Sequence, residues 1–571
     1  MSLFRKKPLH DVLTQGSDDA HGGTGLARHL TVFDLTAFGI AAIIGAGSFS
    51  SLGEACFKGG PGVVLLFIIC GIACAFTALC YAEFASRIPV AGSAYTYAYV
   101  SFGEVLAWII GWALLMEYSI GNIYVAFSWS DYFTSLMHRL GWDIAPHFTC
   151  SYAEAHKAVL NNSSNVELLA AWNNAPTLAG LRIIIDLPAL IINILITYLV
   201  YRGVKESRNF SNAMVILKLI VVVMVIIVGA FYIDTANWTP LIDASFDSAA
   251  SAAGETSFMP KGFSGVMAAV SGVFFAYIGF DAVSVLAEES KNPQKDLPTG
   301  MIASLIICTV IYILLALVLT GVVDYKVFDG VGDPLAKIFE VKNVGWMQFL
   351  VAICAVVAMT SVLLVFQMGQ PRIWMSMSRD GLLPPIFQKI HETYQTPSFS
   401  TILTGFVVGV PIIFTDKTFI LDFTSIGTLF AFVLVCGGVL LIPRKEAQAG
   451  KFNLPHINGK YIYPLMVVGS LVIVSLLVEN YWSKLFDLGS DNVTANISQM
   501  IFWLILLILS VFSFLKNWSL IPLLGLSTCL YLLTGMSASN WAWFFAWFGL
   551  GLLVYLSYGK KYSKLNVKRS K

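Results

Sequence analysis

The sequence predicts an all-α protein that crosses a membrane many times, and two observations lead to this fold class. Of the 571 residues, 57% are hydrophobic and only 12% are charged, whereas soluble domains carry about 25% charged residues. The hydrophobic residues also stand in long uninterrupted runs instead of alternating with polar ones. Together these features exclude soluble enzymes, coiled coils, disordered chains and nucleic-acid-binding proteins.

The hydrophobic runs are long enough to be transmembrane helices. A hydrocarbon core of ~30 Å requires about 20 helical residues, and lipid offers no partner to an unpaired backbone amide. By this criterion we expect about fourteen spans, at residues 33–53, 61–85, 104–136, 181–201, 211–232, 264–289, 300–323, 346–376, 398–415, 419–442, 462–479, 498–515, 518–535 and 541–558.

The basic residues predict how these spans are oriented. Most of the 35 Lys and Arg residues fall in alternate connecting segments, as the positive-inside rule requires if both termini are cytoplasmic. The polar tail 1–30 lacks the apolar core of a cleavable signal peptide, and residues 559–571 form a second, basic tail. The chain is therefore expected in the cell membrane, with an even number of spans.

Two spans contain residues that disfavour a continuous helix. The first carries Gly45, Gly47 and Ser48 near its middle, and the sixth carries Gly279 beside Asp281; each glycine costs about 1 kcal/mol relative to alanine in a helix. The pattern Ala-x-Ile-Gly occurs in both, at 42–45 and 276–279. Glycines also allow close helix packing, but matched interruptions at equivalent places favour two broken helices and an inverted repeat.

Broken helices suggest the kind of ligand that the protein binds. The N-terminus of a half-helix attracts anions, whereas freed carbonyl groups attract cations. A zwitterionic α-amino acid presents both charges on one carbon atom. Such a molecule would therefore suit the backbone groups left unpaired at the two breaks.

Seven short motifs support the same interpretation. They are FDL at 33–35, IIGAG at 43–47, CYAEF at 80–84, PVAGSAY at 89–95, FFAYIGFD at 274–281, EESKNP at 288–293 and SRDGLLP at 378–384. With them the chain resembles the amino acid–polyamine–organocation (APC) superfamily, and within it the cationic amino acid transporter family. The resemblance implies a LeuT-like core of five plus five helices at 31–445, followed by four additional helices at 446–558.

The resemblance also implies which residues bind the substrate. The carboxylate would meet the amides of Ala46 and Gly47, next to Gly45 in the first break. The α-ammonium group would meet carbonyl groups of Ile43, Phe275, Ala276 and Ile278, and Phe275 would act as part of a gate. Leu363 would face the pocket, and no acidic residue stands at these positions, which favours smaller neutral side chains. Ser48 and Pro371 depart from the family pattern.

Proton coupling is expected from two buried ionisable residues. Lys218 lies inside the fifth span, where proton-coupled members of the superfamily place a lysine in the sodium site of their sodium-coupled relatives; snorkelling to the interface is the alternative. Glu117 is mid-span in the third helix and is a candidate proton acceptor, because intramembrane carboxylates usually mark function. Asp281 is expected to cap a half-helix.

Other functions fit the sequence less well. GFSG at 262–265 mimics a serine protease motif but lacks a histidine within a span. GVGD at 330–333 matches an aspartyl intramembrane protease motif, with Asp281 as its partner, but follows the end of an apolar run. A channel or a non-transporting amino acid sensor on the same fold are further alternatives. We therefore predict no enzyme, cofactor, metal or nucleic acid; the expected partners are an L-amino acid, a proton and lipid, with transport by alternating access.

Overall fold

A computed structural model of the chain consists almost entirely of helices, with one hairpin of two-residue strands. It describes residues 5–6, 30–45, 47–87, 93–161, 165–178, 180–203, 208–286, 290–394, 396–441, 452–477, 481–487 and 493–567. Within these residues the chain is an all-α polytopic membrane protein, as predicted from its apolar runs.

The helices of the first half of the chain are α1 Val32–Ile43, α2 Leu52–Gly59, α3 Val63–Arg87, α4 Ser93–Ser101, α5 Glu104–Arg139, α6 Tyr152–Leu160, α7 Val166–Asn174, α8 Leu187–Arg202, α9 Arg208–Ala230, α10 Ser248–Ala252, α11 Gly262–Ala268 and α12 Val270–Phe275. The hairpin pairs β1 Thr177–Leu178 with β2 Leu181–Arg182.

The helices of the second half are α13 Pro293–Val322, α14 Pro334–Val341, α15 Gly345–Arg379, α16 Ser398–Phe414, α17 Lys417–Leu441, α18 Gly459–Leu477, α19 Tyr481–Leu485, α20 Val493–Lys516, α21 Leu520–Leu533, α22 Ala538–Val554, α23 Lys560–Tyr562 and α24 Lys564–Val567.

Each of the predicted spans overlaps an apolar helix or a pair of helices. Among the described residues, eight helices are long and apolar enough to cross a membrane, and a ninth span results if the bent pair α11–α12 is counted as one. Five shorter apolar helices, which include α1, α8 and α21, account for the remaining predicted spans.

The two longest helices, α5 and α15, form the centre of the bundle. They have 36 and 35 residues and pack against each other. In the most apolar stretch of α5, 89% of the residues are buried inside the protein, so this helix is surrounded by other helices and hardly touches lipid. Pro371, which departs from the family pattern, lies within α15 without ending the helix.

The C-terminal helices attach to this centre to different degrees. The indole Nε1 atoms of Trp108 and Trp112 on α5 donate to the carbonyls of Gly551 and Trp547 on α22, each over 2.9 Å. Trp547 donates back to the carbonyl of Trp112 over 3.2 Å. By contrast, only 17% of the apolar stretch of α18 or α20 is buried, and these two helices pack mainly on each other.

The described parts of both termini meet at one end of the bundle, which we call the terminal end. The carboxylate of Glu104, at the start of α5, is fully buried and accepts a hydrogen bond from Arg5 over 3.3 Å. It also accepts bonds from Tyr555 over 2.9 Å and from Ser563 over 2.5 Å. Because a buried carboxylate is stable only with several donors, Glu104 fixes both termini against α5.

Candidate functional site

The first predicted break is present between α1 and α2. Helix α1 ends at Ile43, and Ile44 adopts an extended backbone with ψ 93°. The chain resumes helical structure as a short π-helical turn, Gly47–Ser51, which leads into α2. The hydroxyl of Ser48 donates to the carbonyl of Gly45 over 3.0 Å. Ser48, which departs from the family pattern, therefore satisfies a backbone carbonyl at the break. Ala46, a predicted carboxylate ligand, lies outside the described residues.

The second predicted break follows α12. Residues 276–279 form a turn, and Gly279 has φ +117°, a conformation that side chains with a Cβ rarely adopt. A 3₁₀ helix, Phe280–Leu286, then continues the chain. Asp281 is buried, and its carboxylate lies within hydrogen-bonding reach of the backbone amides of Gly279 and Ala282, as expected of a residue that caps a restarting half-helix.

The two breaks touch each other through glycine. A Cβ atom on Gly47 would lie only 2.5 Å from the Cα of Ala276, and one on Gly279 would lie 2.9 Å from the carbonyl carbon and oxygen of Ala42. Gly47 of the first break therefore contacts Ala276, and Gly279 of the second break contacts Ala42. Both alanines are the first residue of an Ala-x-Ile-Gly pattern. Such close approach is possible only where no side chain intervenes.

A cavity lies at this crossing and contains most of the predicted substrate residues. In this form the cavity is narrow, with room for about one water molecule between its walls. Its lining residues belong to the first break, the second break, α5 and α15; they are Ala42, Ile43, Gly45, Gly47, Val125, Phe275, Ile278, Val362 and Phe366. Among these described residues, none has a charged or hydrogen-bonding side chain.

Two of the described predicted residues do not line the cavity in this form, and a third, Ala46, lies outside the described residues. Ala276 contacts Gly47 instead of lining the cavity. Leu363 is buried, but its neighbour Val362 lines the cavity in its place. Ala42, Val125, Val362 and Phe366 were missed. Val362 and Phe366 are four residues apart and thus share one helix face, a spacing that could have identified them together.

One predicted ligand already has a partner within the protein. The carbonyl of Ile43 accepts a hydrogen bond from the hydroxyl of Tyr312 over 2.9 Å. A carbonyl oxygen has two lone pairs, so this bond leaves one position for an ammonium group. Tyr312 is fully buried on α13 and was not predicted from the sequence.

Lys218 reaches the first break from α9. Its Nζ lies 3.4 Å from the carbonyl oxygen of Ala41, and the residue is only 2% exposed. Ala41 belongs to the last turn of α1, where carbonyl groups lack an amide one turn ahead. The ammonium group thus points into the protein, and this geometry is not that of a lysine that snorkels to the membrane surface.

Glu117 lies beside a second carboxylate. It is 5% exposed on α5, and its charge interacts with that of Asp281, which is 4% exposed. The hydroxyl of Thr428 on α17 lies within hydrogen-bonding reach of Glu117. The candidate proton acceptor is therefore connected to the second break through Asp281.

An ion pair lies beyond the cavity on the side away from the terminal end. Lys417, at the start of α17, forms a salt bridge with Asp131 of α5. Its Nζ also lies 5.5 Å from the centre of the Tyr124 ring, and Tyr124 packs edge-on against Phe275 with ring centres 4.6 Å apart. Phe275 lines the cavity, so the predicted gate residue is connected to the Lys417–Asp131 pair.

The loop between α5 and α8 secures this pair. The carboxylate of Glu154 on α6 accepts from the backbone amide of Lys417 over 3.1 Å and from that of Ser151 over 3.1 Å. Removal from water, together with the nearby charge of Asp131, raises the pKa of Glu154 to about 7. The same two influences raise the pKa of Asp333, just before α14, to about 7.

The raised pKa of Glu154 predicts that stability falls as pH rises. Its folded pKa of about 7 exceeds the unfolded value of about 4.3, so its contribution is complete below that unfolded value and is lost as pH rises through 7. We expect the thermal midpoint to fall between pH 5 and 7.5, and Glu154→Gln to reduce that fall. Glu167→Gln, at an exposed position on α7, is the control; equal slopes in both variants would contradict the prediction.

The aspartyl protease interpretation receives no support from the geometry. Asp333 interacts with Ser135, Asp131 and Glu340 near the start of α14, whereas Asp281 interacts with Glu117 inside the bundle. Two catalytic carboxylates would have to share one site. Ser264 of the other protease motif donates to the carbonyl of Lys261 on an exposed surface.

Comparisons with known proteins identify the family of the chain. A family model described as amino acid permease matches residues 30–511. The chain is 34% identical to the branched-chain amino acid permease BcaP of Bacillus subtilis and 35% identical to the methylthioribose transporter of the same organism, with 99% of each chain covered. It is also 35% identical to the vacuolar cationic amino acid transporter 2 of Arabidopsis thaliana, over 77% of this chain and 63% of that relative. The chain is therefore a transporter, not an enzyme, and belongs to the amino acid permease family of the APC superfamily.

Proposed function

We propose that the protein is a secondary active transporter of neutral L-amino acids with apolar side chains. The observation that carries this proposal is the cavity at the crossing of the two breaks. The remaining lone pair of the Ile43 carbonyl and the amide of Gly47 are suited to the two charges of a zwitterion, while the side chains of the lining are apolar. An unpaired cationic side chain would be costly in such a lining, so arginine and lysine are disfavoured.

The reciprocal contacts of the two breaks support an inverted-repeat mechanism. We propose that residues 31–445 form a LeuT-like core of five plus five helices and that 446–558 add four helices around it. Substrate would be reached alternately from each side as the two halves rock about the fixed site. The Lys417–Asp131 pair and Phe275 would open on one side only. By the distribution of basic residues, the terminal end faces the cytoplasm of a cell membrane.

We further propose that protons drive transport through Lys218 and Glu117. Lys218 bonds to the last turn of α1, so loss of its proton would change how the first break is held. Glu117 interacts with Asp281, which caps the second break. Ionisable groups inside a bilayer usually serve proton or ion pathways, and these two residues are placed to transmit protonation to both breaks.

A second candidate substrate comes from one relative. The methylthioribose transporter is as similar to this chain as the branched-chain permease. Sugar hydroxyl groups require hydrogen-bonding partners, and the described lining residues offer backbone groups only. We therefore favour the amino acid and treat methylthioribose as a test compound.

Counterflow into proteoliposomes tests the proposal. Vesicles preloaded with unlabelled valine or leucine are expected to accelerate the entry of the labelled amino acid, because a carrier exchanges substrate across the bilayer. Unlabelled arginine and methylthioribose are expected to give little acceleration. Absence of counterflow with all twenty amino acids would reject amino acid transport. Binding without counterflow, seen as a raised thermal midpoint, would instead indicate a sensor.

A further inference from the structure

The rings of Phe366 on α15 and Tyr118 on α5 pack together at one wall of the cavity. We call this contact the aromatic interlock. Phe366 of α15 lines the cavity one helical turn beyond Val362, on the side nearer the terminal end. Its ring lies against Gly121 of α5, where a Cβ atom would be 3.1 Å from the ring carbon Cε2. Gly121 in turn lies one turn beyond Val125, which also lines the cavity.

The interlock is reciprocal. Tyr118 of α5 lies against Gly369 of α15, where a Cβ atom would be 2.5 Å from the ring carbon Cε1 of Tyr118. The rings of Tyr118 and Phe366 meet at an angle of 65° with their centres 5.6 Å apart. Each helix thus supplies one aromatic ring and one glycine, and neither ring can retreat toward the opposite helix.

Hydrogen bonds beside the rings fix the register of the two helices. The amide of Asn122, next to Gly121, donates to the side-chain oxygen of Gln367, next to Phe366. One turn farther along, Gln370 donates to the hydroxyl of Ser119 over 2.5 Å. All four residues are at most 4% exposed. Sliding one helix along the other would leave these groups unpaired in an apolar interior, which is costly.

From this arrangement we propose that Phe366, held by Gly121 and Tyr118, sets the upper size limit of the substrate side chain. The inference rests on the proposed amino acid transport. A substrate bound by its charged groups at the two breaks extends its side chain toward α5 and α15, and Phe366 closes that space. Side chains larger than the available space would have to displace the interlocked ring. Phe366 is thus a specificity-determining residue.

Opposite changes of the same contact test the proposal. Gly121→Ala places a methyl group against the Phe366 ring and should weaken counterflow with leucine relative to alanine by about tenfold or more, since one methylene group can discriminate by that amount. Phe366→Leu should admit phenylalanine, which the parent is expected to reject. Combining the two substitutions should restore leucine counterflow, because the shorter side chain relieves the contact with the added methyl group.

A matched control lies on the same pair of helices. Gly111→Ala on α5 contacts Met377 of α15, about 15 Å farther toward the terminal end at 1.5 Å per residue. It should leave the ratio of leucine to alanine counterflow unchanged. If the three variants at Gly121 and Phe366 keep the parent's size profile, the inference is wrong although transport stands. If the parent itself shows no counterflow with any amino acid, the proposed function fails and the inference fails with it.

Discussion

Replacing Gly47 by alanine is expected to impair transport strongly while the protein still reaches the membrane. The added Cβ would lie 2.5 Å from the Cα of Ala276, far inside the 3.5–4.0 Å at which carbon atoms make favourable contact. The obstacle is backbone, which cannot rotate away as a side chain can. Overpacking of this kind costs about 1–3 kcal/mol, and relief requires the two breaks to separate.

Separation of the breaks would disturb the site itself, because the proposed substrate ligands are backbone groups of these same residues. We expect counterflow to fall by at least about tenfold, which corresponds to 1.4 kcal/mol. Gly279→Ala should act in the same way from the other side, since its Cβ would meet the carbonyl of Ala42 and its φ of +117° disfavours any side chain. The measurement is counterflow alongside the amount of monodisperse protein.

The control for both substitutions is Gly469→Ala on α18, where no atom of the described residues lies within 4 Å of the added Cβ. A helical glycine of this kind should gain slightly from alanine, because alanine is the better helix former. Counterflow at the parent's level in Gly47→Ala and Gly279→Ala would show that the breaks tolerate separation. The backbone site at their crossing would then be wrong.

The breaks could be predicted from the sequence because their cause is local. Glycine is a weak helix former wherever it stands, so Gly45, Gly47 and Gly279 already indicate where α1 and α12 must end. The contact between the breaks could not be predicted in the same way. That Gly47 faces Ala276 and Gly279 faces Ala42 depends on how two distant segments cross, and a four-residue pattern does not contain that information.

Side chains that reach the cavity from continuous helices were harder to predict. Successive residues of an α-helix are rotated by about 100°, so an error of one position turns a lining residue away from the cavity. Leu363 illustrates this, because its neighbour Val362 lines the cavity instead. The rotation of α15 is set by contacts such as Gly369 with Tyr118, which involve α5 and appear only in the folded bundle.

Long-range ion pairs are a further feature that the sequence could not supply. Lys417 and Asp131 stand at the ends of two separate spans, and each taken alone resembles an ordinary interfacial charge. Their contact, and the support from Glu154, arises because α17 packs along α5. Lys218 was predictable for the opposite reason: a lysine amid apolar residues is conspicuous in any hydropathy profile.

Lys218→Ala is expected to uncouple transport from the proton gradient. The Nζ of Lys218 lies 3.4 Å from the carbonyl oxygen of Ala41 in the last turn of α1, and the residue is almost completely buried. In the proposed mechanism, the ammonium group steadies α1 when protonated and releases it when the proton leaves. Without the amine, uptake should no longer rise when the outside is made acidic, whereas counterflow at equal pH on both sides should persist.

Lys218→Arg tests the positive charge of this side chain separately from its ability to release a proton. A guanidinium group keeps the positive charge near Ala41 but does not release its proton in proteins, so this variant should also lose the pH dependence of uptake. Lys516→Ala is the control, because Lys516 is an exposed lysine at the end of α20 that matches the snorkelling alternative. It should retain the parent's response to pH. If Lys218→Ala and Lys218→Arg respond to pH as the parent does, Lys218 does not carry the coupling proton, and its bond to α1 is structural.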